Sequence, residues 1–314
     1  MTRPHVGLAD LVALGIIVAC GCGAPTRTEF VRYPGAPSER DPAQSDPKAL
    51  AIADRVFIAA GGNEHWALAR ELRWTQTVAV AGAPPPPPPP PTSVPPPTPT
   101  ATSQARRLYA LTLQQLHAAP PAAQDHLWDR WNGRYALREQ RGSLVTATIF
   151  DIYGDGVKTL AVQRDRGVEV PVPLRLVSEG DGGARATWHG NTALLCLPFL
   201  LREPGVRLHY PGPIYGEDGE FEEIRVTFDP ADPRRSGSAL ELIVNKAGVI
   251  ERVSVEALAT HQWVEFDLHD WMTVTGLSFS TTRVDRSTGD VTHITNLAIS
   301  SKVNDDDFQW STDQ

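Results

Sequence analysis

Cysteine is scarce in this chain of 314 residues: there are three, at Cys20, Cys22 and Cys196. Two are nearly adjacent and the third lies inside an apolar run, so no disulfide framework is available, and Cys196 reads as a small core hydrophobe. Lysine is almost as rare, with Lys48, Lys158, Lys246 and Lys302 among 29 basic residues. Nothing gathers the basic residues into a stripe, and the net charge is -8, which argues against nucleic acid or an anionic membrane surface as a partner. No apolar segment is long enough to span a bilayer as a helix. Chemistry is sparse too. There is no Gly-x-Ser-x-Gly elbow, and the nine histidines are scattered with no partner base beside a serine. Asp125, His126 and Asp129 fall within one turn of each other, and His269-Asp270 and Asp305-Asp306-Asp307 offer further ligands. None has a recognised metal spacing, so helix caps and solvated loops account for them better than zinc or calcium. Glu222-Glu223 reads as a turn and a solvent-facing strand position. These absences leave no catalytic residue, cofactor or metal to assign, and they favour a binding or interaction module over an enzyme.

At the amino end, Arg3 followed by apolar Leu11–Ala19 has the size of a signal-peptide core, so residues 1–19 predict export. Ile17-Val18-Ala19-Cys20-Gly21 resembles a bacterial lipobox, which implies diacylglycerol on Cys20 and Cys20 as the first mature residue. The plainer alternative is ordinary secretory cleavage beside an incidental cysteine. Gly21, where an Asp would retain the protein in the inner membrane of the resembling Gram-negative system, implies the outer membrane, on its periplasmic side or surface. Two or three acyl chains anchor a protein stably without a membrane-spanning helix. Residues 20–45 are polar, with Pro25, Pro34, Pro37 and Pro42, and read as a flexible tether.

Asp46 as N-cap, Pro47 at the first helical position, apolar Leu50, Ala53, Phe57 and Ile58, and a Gly61-Gly62 stop predict a helix. A second short helix follows from Asn63. At Leu72 the period becomes two, with Leu72, Trp74 and Val78 on one face of a strand. Pro84–Pro99 opens with eight consecutive prolines and cannot enter a packed core, so 83–103 is a proline-rich insertion. It suits either a ligand for a proline-recognising envelope partner, or a spacer, or a tolerated expansion between two strands. Gln104–Leu116 fits helix or strand, with the strand spacing preferred. From Trp128 onward, alternating segments and Gly- or Asn-containing turns predict successive hairpins: Gly133–Arg138 with Leu144–Tyr153, Val206 to Phe228, Leu240–Ala257, and Leu277–Asp285 with Val291–Val303. About ten strands in antiparallel succession curl rather than lie flat, so the expected architecture is mainly β with a few helices, a curved sheet forming a half-open barrel.

The densest apolar stretch is Gly190–Tyr215. Ala193, Leu194, Leu195, Leu197, Phe199, Leu200 and Leu201 point all round a helix, so both sides need cover. Pro198 interrupts any helix, which predicts two short pieces, or a strand end and one turn, laid as a lid across the mouth of the sheet.

Three segments together resemble a known fold. They are Ala53-Asp54-Arg55-Val56 before Gly61-Gly62, Trp128-Asp129-Arg130 running into Gly133-Arg134-Tyr135, and Leu197-Pro198-Phe199-Leu200-Leu201 before the Val206 strand. Over about 46–304 the chain resembles the bacterial outer-membrane lipoprotein-sorting fold of LolA and LolB, with 305–314 left as an acidic tail. It is similar in particular to a family of bacterial lipoproteins sharing the Trp-Asp-Arg, Gly-Arg-Tyr and Leu-Pro-Phe segments. The resemblance implies an unclosed barrel whose helix-roofed concave face holds acyl chains. Candidates for lining such a cavity are Phe199, Leu200, Leu201, Trp263, Phe266 and Trp271, although the same aromatics would also suit a solid core. Two functions are therefore expected. One is a lipid-anchored envelope protein binding a lipid or acyl chain, in lipoprotein or lipid trafficking. The other is a non-enzymatic structural or interaction lipoprotein with a filled barrel, touching an envelope partner through its proline loop or sheet edge.

Overall fold

The computed structural model describes residues 32–37, 39–82, 123–165, 168–172, 180–216, 219–256 and 262–309. The signal segment, Cys20, the proline-rich insertion, the 104–116 stretch and residues 310–314 lie outside the described residues.

One antiparallel sheet of thirteen strands dominates the described residues. The first run comprises β1 (Glu71–Ala79), β2 (Ala123–Asp129), β3 (Arg134–Arg141), β4 (Leu144–Asp151), β5 (Val157–Asp165) and β6 (Val168–Pro171). The second comprises β7 (Val206–Gly216), β8 (Gly219–Phe228), β9 (Ala239–Val244), β10 (Ile250–Glu256), β11 (Trp263–Val274), β12 (Leu277–Asp285) and β13 (Val291–Ser300). Their order is β6-β5-β4-β3-β2-β1-β13-β12-β11-β10-β9-β8-β7, a curved sheet that does not close, as expected for a half-open barrel. The count exceeds ten partly because β2 and β6 were not anticipated. β2 (AQDHLWD) lacks β-branched residues, and β6 is four residues ending in Pro171.

The order contains one non-sequential pairing and one long crossing. β1 pairs with β13, from Glu71 opposite Ser300 to Ala79 opposite Val291 with a bulge between Arg73 and Thr75, and this seam joins the two runs. β6 and β7 follow one another in the chain yet occupy opposite edges. The chain between them must therefore travel from one edge to the other, and it does so through α3 (Gly180–Leu195) and α4 (Leu197–Leu200). The roof over the trough is thus a consequence of topology.

The amino-terminal helix α1 (Pro47–Ala59) buries Ala49, Ile52, Ala53, Val56 and Phe57, spaced three and four apart along one face. Asp46 stands at the N-cap without capping the helix by its side chain; its Oδ2 accepts from the backbone N–H of Tyr210 instead, and its own N–H donates to Leu208 O. The start of the helix is therefore tied to edge strand β7. Glu222, read from sequence as turn and solvent-facing, accepts from both Lys48 and Arg55 and ties the same helix to β8. After α1 the chain turns at Gly61 (φ +114), where an added Cβ would lie 2.1 Å from Gly276 O. Only glycine permits that backbone approach. It seats α2 (Gly62–Trp66) against the β11–β12 turn, whose two residues Thr275 and Gly276 both have positive φ, as a two-residue hairpin loop requires.

α3 departs from expectation. Its sequence, GDGGARATWHGNTALL, carries four glycines, each worth about 1 kcal/mol against helix relative to alanine, so local preference did not announce a sixteen-residue helix. Packing sustains it: Ala184, Trp188 and Leu195 enter a core with Trp74, Tyr135, Phe150 and Phe279. The helix breaks at Cys196, and Pro198 is accommodated in the first turn of α4, where its missing N–H costs nothing. α4 then faces two ways. Phe199 enters this first core, while Leu197, Leu200 and Leu201 enter a second, formed by α1 and β7–β11. Both sides of the apolar run are covered, as its all-round hydrophobicity required.

Residues on either side of 46–304 also pack on that segment. Within the stretch read as tether, Tyr33 is buried and donates its hydroxyl to Asp229 Oδ2 at 2.7 Å, and Arg40 Nη1 donates to Leu201 O at 2.9 Å. Within the acidic tail, a 3-10 turn Asp305–Phe308 buries Phe308, pairs Asp305 with Arg134 at 2.7 Å and pairs Asp307 with Arg73.

Candidate ligand cavity

The middle of the trough is plugged by aromatic side chains. Trp74, Tyr135, Phe150 and Phe279 are among the largest fully buried side chains. Toward the β2–β3 turn the packing opens into a cavity of about 580 Å³, inside the roughly 300–1,000 Å³ range of small-molecule sites. Four structures make its wall. The roof supplies Trp188, His189, Thr192 and Ala193 from α3, then Cys196, Phe199 and Leu200; α1 and α2 supply Phe57 and Trp66; the sheet supplies Trp128, Arg130 and Ile152; and the strap 32–42 supplies Arg32, Tyr33 and Arg40.

Trp66 sets the apolar surface. The ring of Phe199 stacks on it at 4.1 Å and 12°, and the guanidinium carbon of Arg130 lies 3.3 Å from its centroid. Groups that close cannot share one face, so the indole is sandwiched between them. Arg130 is buried, donating to Trp66 O at 3.0 Å and to Ala69 O. Burial pulls its pKa down to about 9. A planar guanidinium stacked on an indole and bonded to carbonyls suits this position, which a lysine ammonium would not. Arg235, also buried, is neutralised by Asp232 and Glu203, each at 2.6 Å.

Two further titratable groups of the wall, Cys196 and His189, are held neutral. Burial pushes the Cys196 thiol up to about 12, so it is not a reactive thiolate. Burial, reinforced by Arg235, lowers His189 to about 4. His189 Nε2 is buried without a hydrogen-bond partner among the described residues, and the wall offers apolar contact bounded by guanidinium donors.

The residues anticipated from sequence fall in different places. Phe199 and Leu200 line the cavity. Leu201 is buried one step away in the second core, and Phe266 and Trp271 pack partly buried against that core. Trp263 is 37 % exposed at the start of β11. The strap residues and Arg235 were missed; Tyr33, an aromatic in a polar, proline-bearing segment, was the local signal that the strap packs.

Asp125, His126 and Asp129 belong to a strand rather than a helical turn. Alternation sends His126 to the face of Trp128 and both aspartates to the other. His126 lies against Trp74 at 4.6 Å with its Nδ1 2.6 Å from Tyr135 Oη, while Asp125 accepts from Thr75 and Asp129 accepts from Arg134. Among the described residues, no group of three or more His, Cys, Asp or Glu is placed to hold a metal ion, and no helix is long and apolar enough to cross a membrane.

No protein-family model and no curated protein matches the chain. Among solved structures it is similar to a DUF1329 family protein from Desulfovibrio piger, with a TM-score of 0.45 and 9% identity over 86% of this chain and 100% of that one. It is also similar to a LolA superfamily protein from Nitrosomonas europaea, with a TM-score of 0.41 and 11% identity over 83% of this chain and 97% of that one. A domain from Vibrio parahaemolyticus described as outer membrane lipoprotein-sorting has a TM-score of 0.36 and 9% identity over 83% and 96%. Two of these three descriptions name the LolA superfamily or lipoprotein sorting, and no ligand or residue role is carried over from any of them to this chain.

Proposed function

We propose that this protein is a lipid-anchored component of the bacterial envelope, held at the outer membrane through Cys20, whose cavity binds the apolar part of a lipid or acyl chain. The observation that carries the reading is the cavity of about 580 Å³ walled by Phe57, Trp66, Trp128, Trp188, Phe199 and Leu200. An open space faced by large aromatics in a core that is elsewhere close-packed is room for a guest. Each methylene buried there contributes about 0.8 kcal/mol, so a chain of roughly ten carbons would gain about 8 kcal/mol before the costs of association. Trafficking of lipoproteins or lipids follows from reversible binding by an anchored protein with no catalytic group in its site.

The test is mass spectrometry of lipids extracted from the purified full chain. Stoichiometric acyl lipid is expected, and Leu200→Trp, which fills the cavity, should reduce it. A lipid-free protein would overturn the reading. The aromatic plug in the middle of the trough favours a second one: a structural or interaction lipoprotein in which the remaining space is incidental, with the proline-rich insertion as its contact. In that case deletion of 83–103 should lose an envelope partner while the lipid extract stays empty.

A further inference from the structure

We infer that the cavity selects an amphiphile with one apolar chain and an anionic head, the head being held at the rim by Arg40 and Arg202. This rests on the reading of the cavity as a lipid site and adds the class of lipid. The chain as a whole carries a net charge of -8, yet its cavity wall has five arginines and two glutamates. Those arginines divide by depth. Arg235 is matched by Asp232 and Glu203, and Arg130 is bound to carbonyl oxygens behind Trp66; both are structural.

The rim is different. Arg40 and Arg202 share one carboxylate oxygen, Asp54 Oδ1, at 3.3 and 3.7 Å. Arg40 gives its other terminal nitrogen to Leu201 O, and Arg32 donates to a carbonyl, Pro37 O, at 3.2 Å. Arg202 makes no side-chain hydrogen bond among the described residues, and its guanidinium carbon lies 4.8 Å over the ring of Phe57, itself part of the apolar wall. The rim therefore has three guanidiniums against Asp54 and Glu39. One cation in excess, with open donors, stands directly beside the aromatic surface. A carboxylate or phosphate accepts from a guanidinium in a paired, charge-assisted geometry, and a chain continuing from that head would pass Phe57 toward Trp66 and Phe199. A neutral head offers the arginines weaker acceptors, and a cationic head meets repulsion.

The full chain would be titrated with four ligands of equal length bearing bromine at the chain end: bromoundecanoate, bromoundecyl phosphate, bromoundecanol and bromoundecyltrimethylammonium. Bromine quenches tryptophan fluorescence on contact, and Trp66, Trp128 and Trp188 are in the wall. At least one anionic ligand is expected to bind about tenfold tighter than the alcohol, the ordinary gain from a charge-assisted hydrogen bond, and the cation is expected to bind worst. Whichever anion leads identifies a fatty-acid or a phosphate head. Arg202→Gln should bring the preferred anion to the level of the alcohol, lowering the anion's affinity far more than the alcohol's. Arg40→Lys, which keeps the charge and loses the fork, should lose part of the preference and serves where Arg40→Gln fails to fold. Equal binding of the alcohol and both anions, or a preference that survives Arg202→Gln, would overturn the inference while leaving the cavity reading intact. Absence of quenching by all four would overturn the cavity reading itself, and this inference with it.

Discussion

Acid should destabilise this fold well above the range where carboxylates titrate. His126 is enclosed between Trp74 and Tyr135, its Nε2 is buried without a partner among the described residues, and burial together with the Arg283 guanidinium lowers its pKa to about 3. His189, in the cavity wall, is lowered to about 4 by burial and by Arg235. In the unfolded chain each titrates near the ordinary value of about 6.5. Above that pH both histidines are neutral in both states and contribute no pH dependence. Below it the unfolded chain takes up protons that the folded one refuses, so stability is lost as pH falls, down to about 4 for His189 and about 3 for His126. The slope approaches roughly 1.4 kcal/mol per pH unit for each histidine once the pH is below 6.5, where the unfolded-state groups are half protonated, so lowering the pH from 6.5 to 5 should cost on the order of 3 kcal/mol for the pair. Glu223, raised by burial and by Glu241, acts in the opposite sense and trims the lower end of the window. Urea unfolding at intervals from pH 7.5 to 5 measures the loss as a falling midpoint at constant slope. His126→Gln retains a side chain able to meet Tyr135 Oη, and combined with His189→Gln it should flatten the profile. A midpoint that holds steady to pH 5, or the same fall in the double variant, would refute the assignment.

Two substitutions probe the packing. Phe199→Ala removes the ring stacked on Trp66 and should cost about 3–5 kcal/mol in thermal or urea unfolding, whereas Trp263→Ala, on an exposed ring, should stay within roughly 1 kcal/mol; equal effects would contradict the placement of the roof. Gly61→Ala forces a Cβ onto Gly276 O at a φ of +114 and should lower stability by at least about 2 kcal/mol, and a variant melting with the parent would show that the α1–α2 corner does not sit against the β11–β12 turn.

The sequence makes some of this architecture legible and hides the rest for physical reasons. The β7–β8, β9–β10 and β12–β13 hairpins are readable because Val206, Leu208, Ile224, Val226, Leu240, Leu242 and Phe279 alternate with polar residues and are all buried, and a half-buried strand needs that period. β2 is not readable in the same way. Its inward residues are His126 and Trp128 and its outward ones Asp125, Leu127 and Asp129, so hydrophobicity does not alternate even though direction does. α3 is hidden by its glycines, since its stability comes from Trp188 and Leu195 meeting partners far away in the chain. Part of the candidate site is legible because Phe199 and Leu200 lie in a run with no polar side to expose. Another part is not, because Arg32, Tyr33 and Arg40 belong to a proline-bearing polar segment whose only reason to pack is the rim it meets.

The pairing of β1 with β13 is the least local fact of all, and it decides the site. It places the two ends of the described strand succession at the centre of the sheet and leaves β6 and β7, neighbours in sequence, at the two edges. Had β6 and β7 paired, the sheet would have closed and alternate side chains of every strand would have pointed at a shared axis. Instead the connection crosses as helix, and a helix cannot interdigitate with a concave sheet along its whole length. It meets the sheet closely where Trp188, Leu195 and Phe199 reach down and stands away from it near the β2–β3 turn. The cavity is the space left by that mismatch, bounded on its open side by the strap, so its dimensions should respond to changes in α3 and α4 more than to changes in the strands beneath.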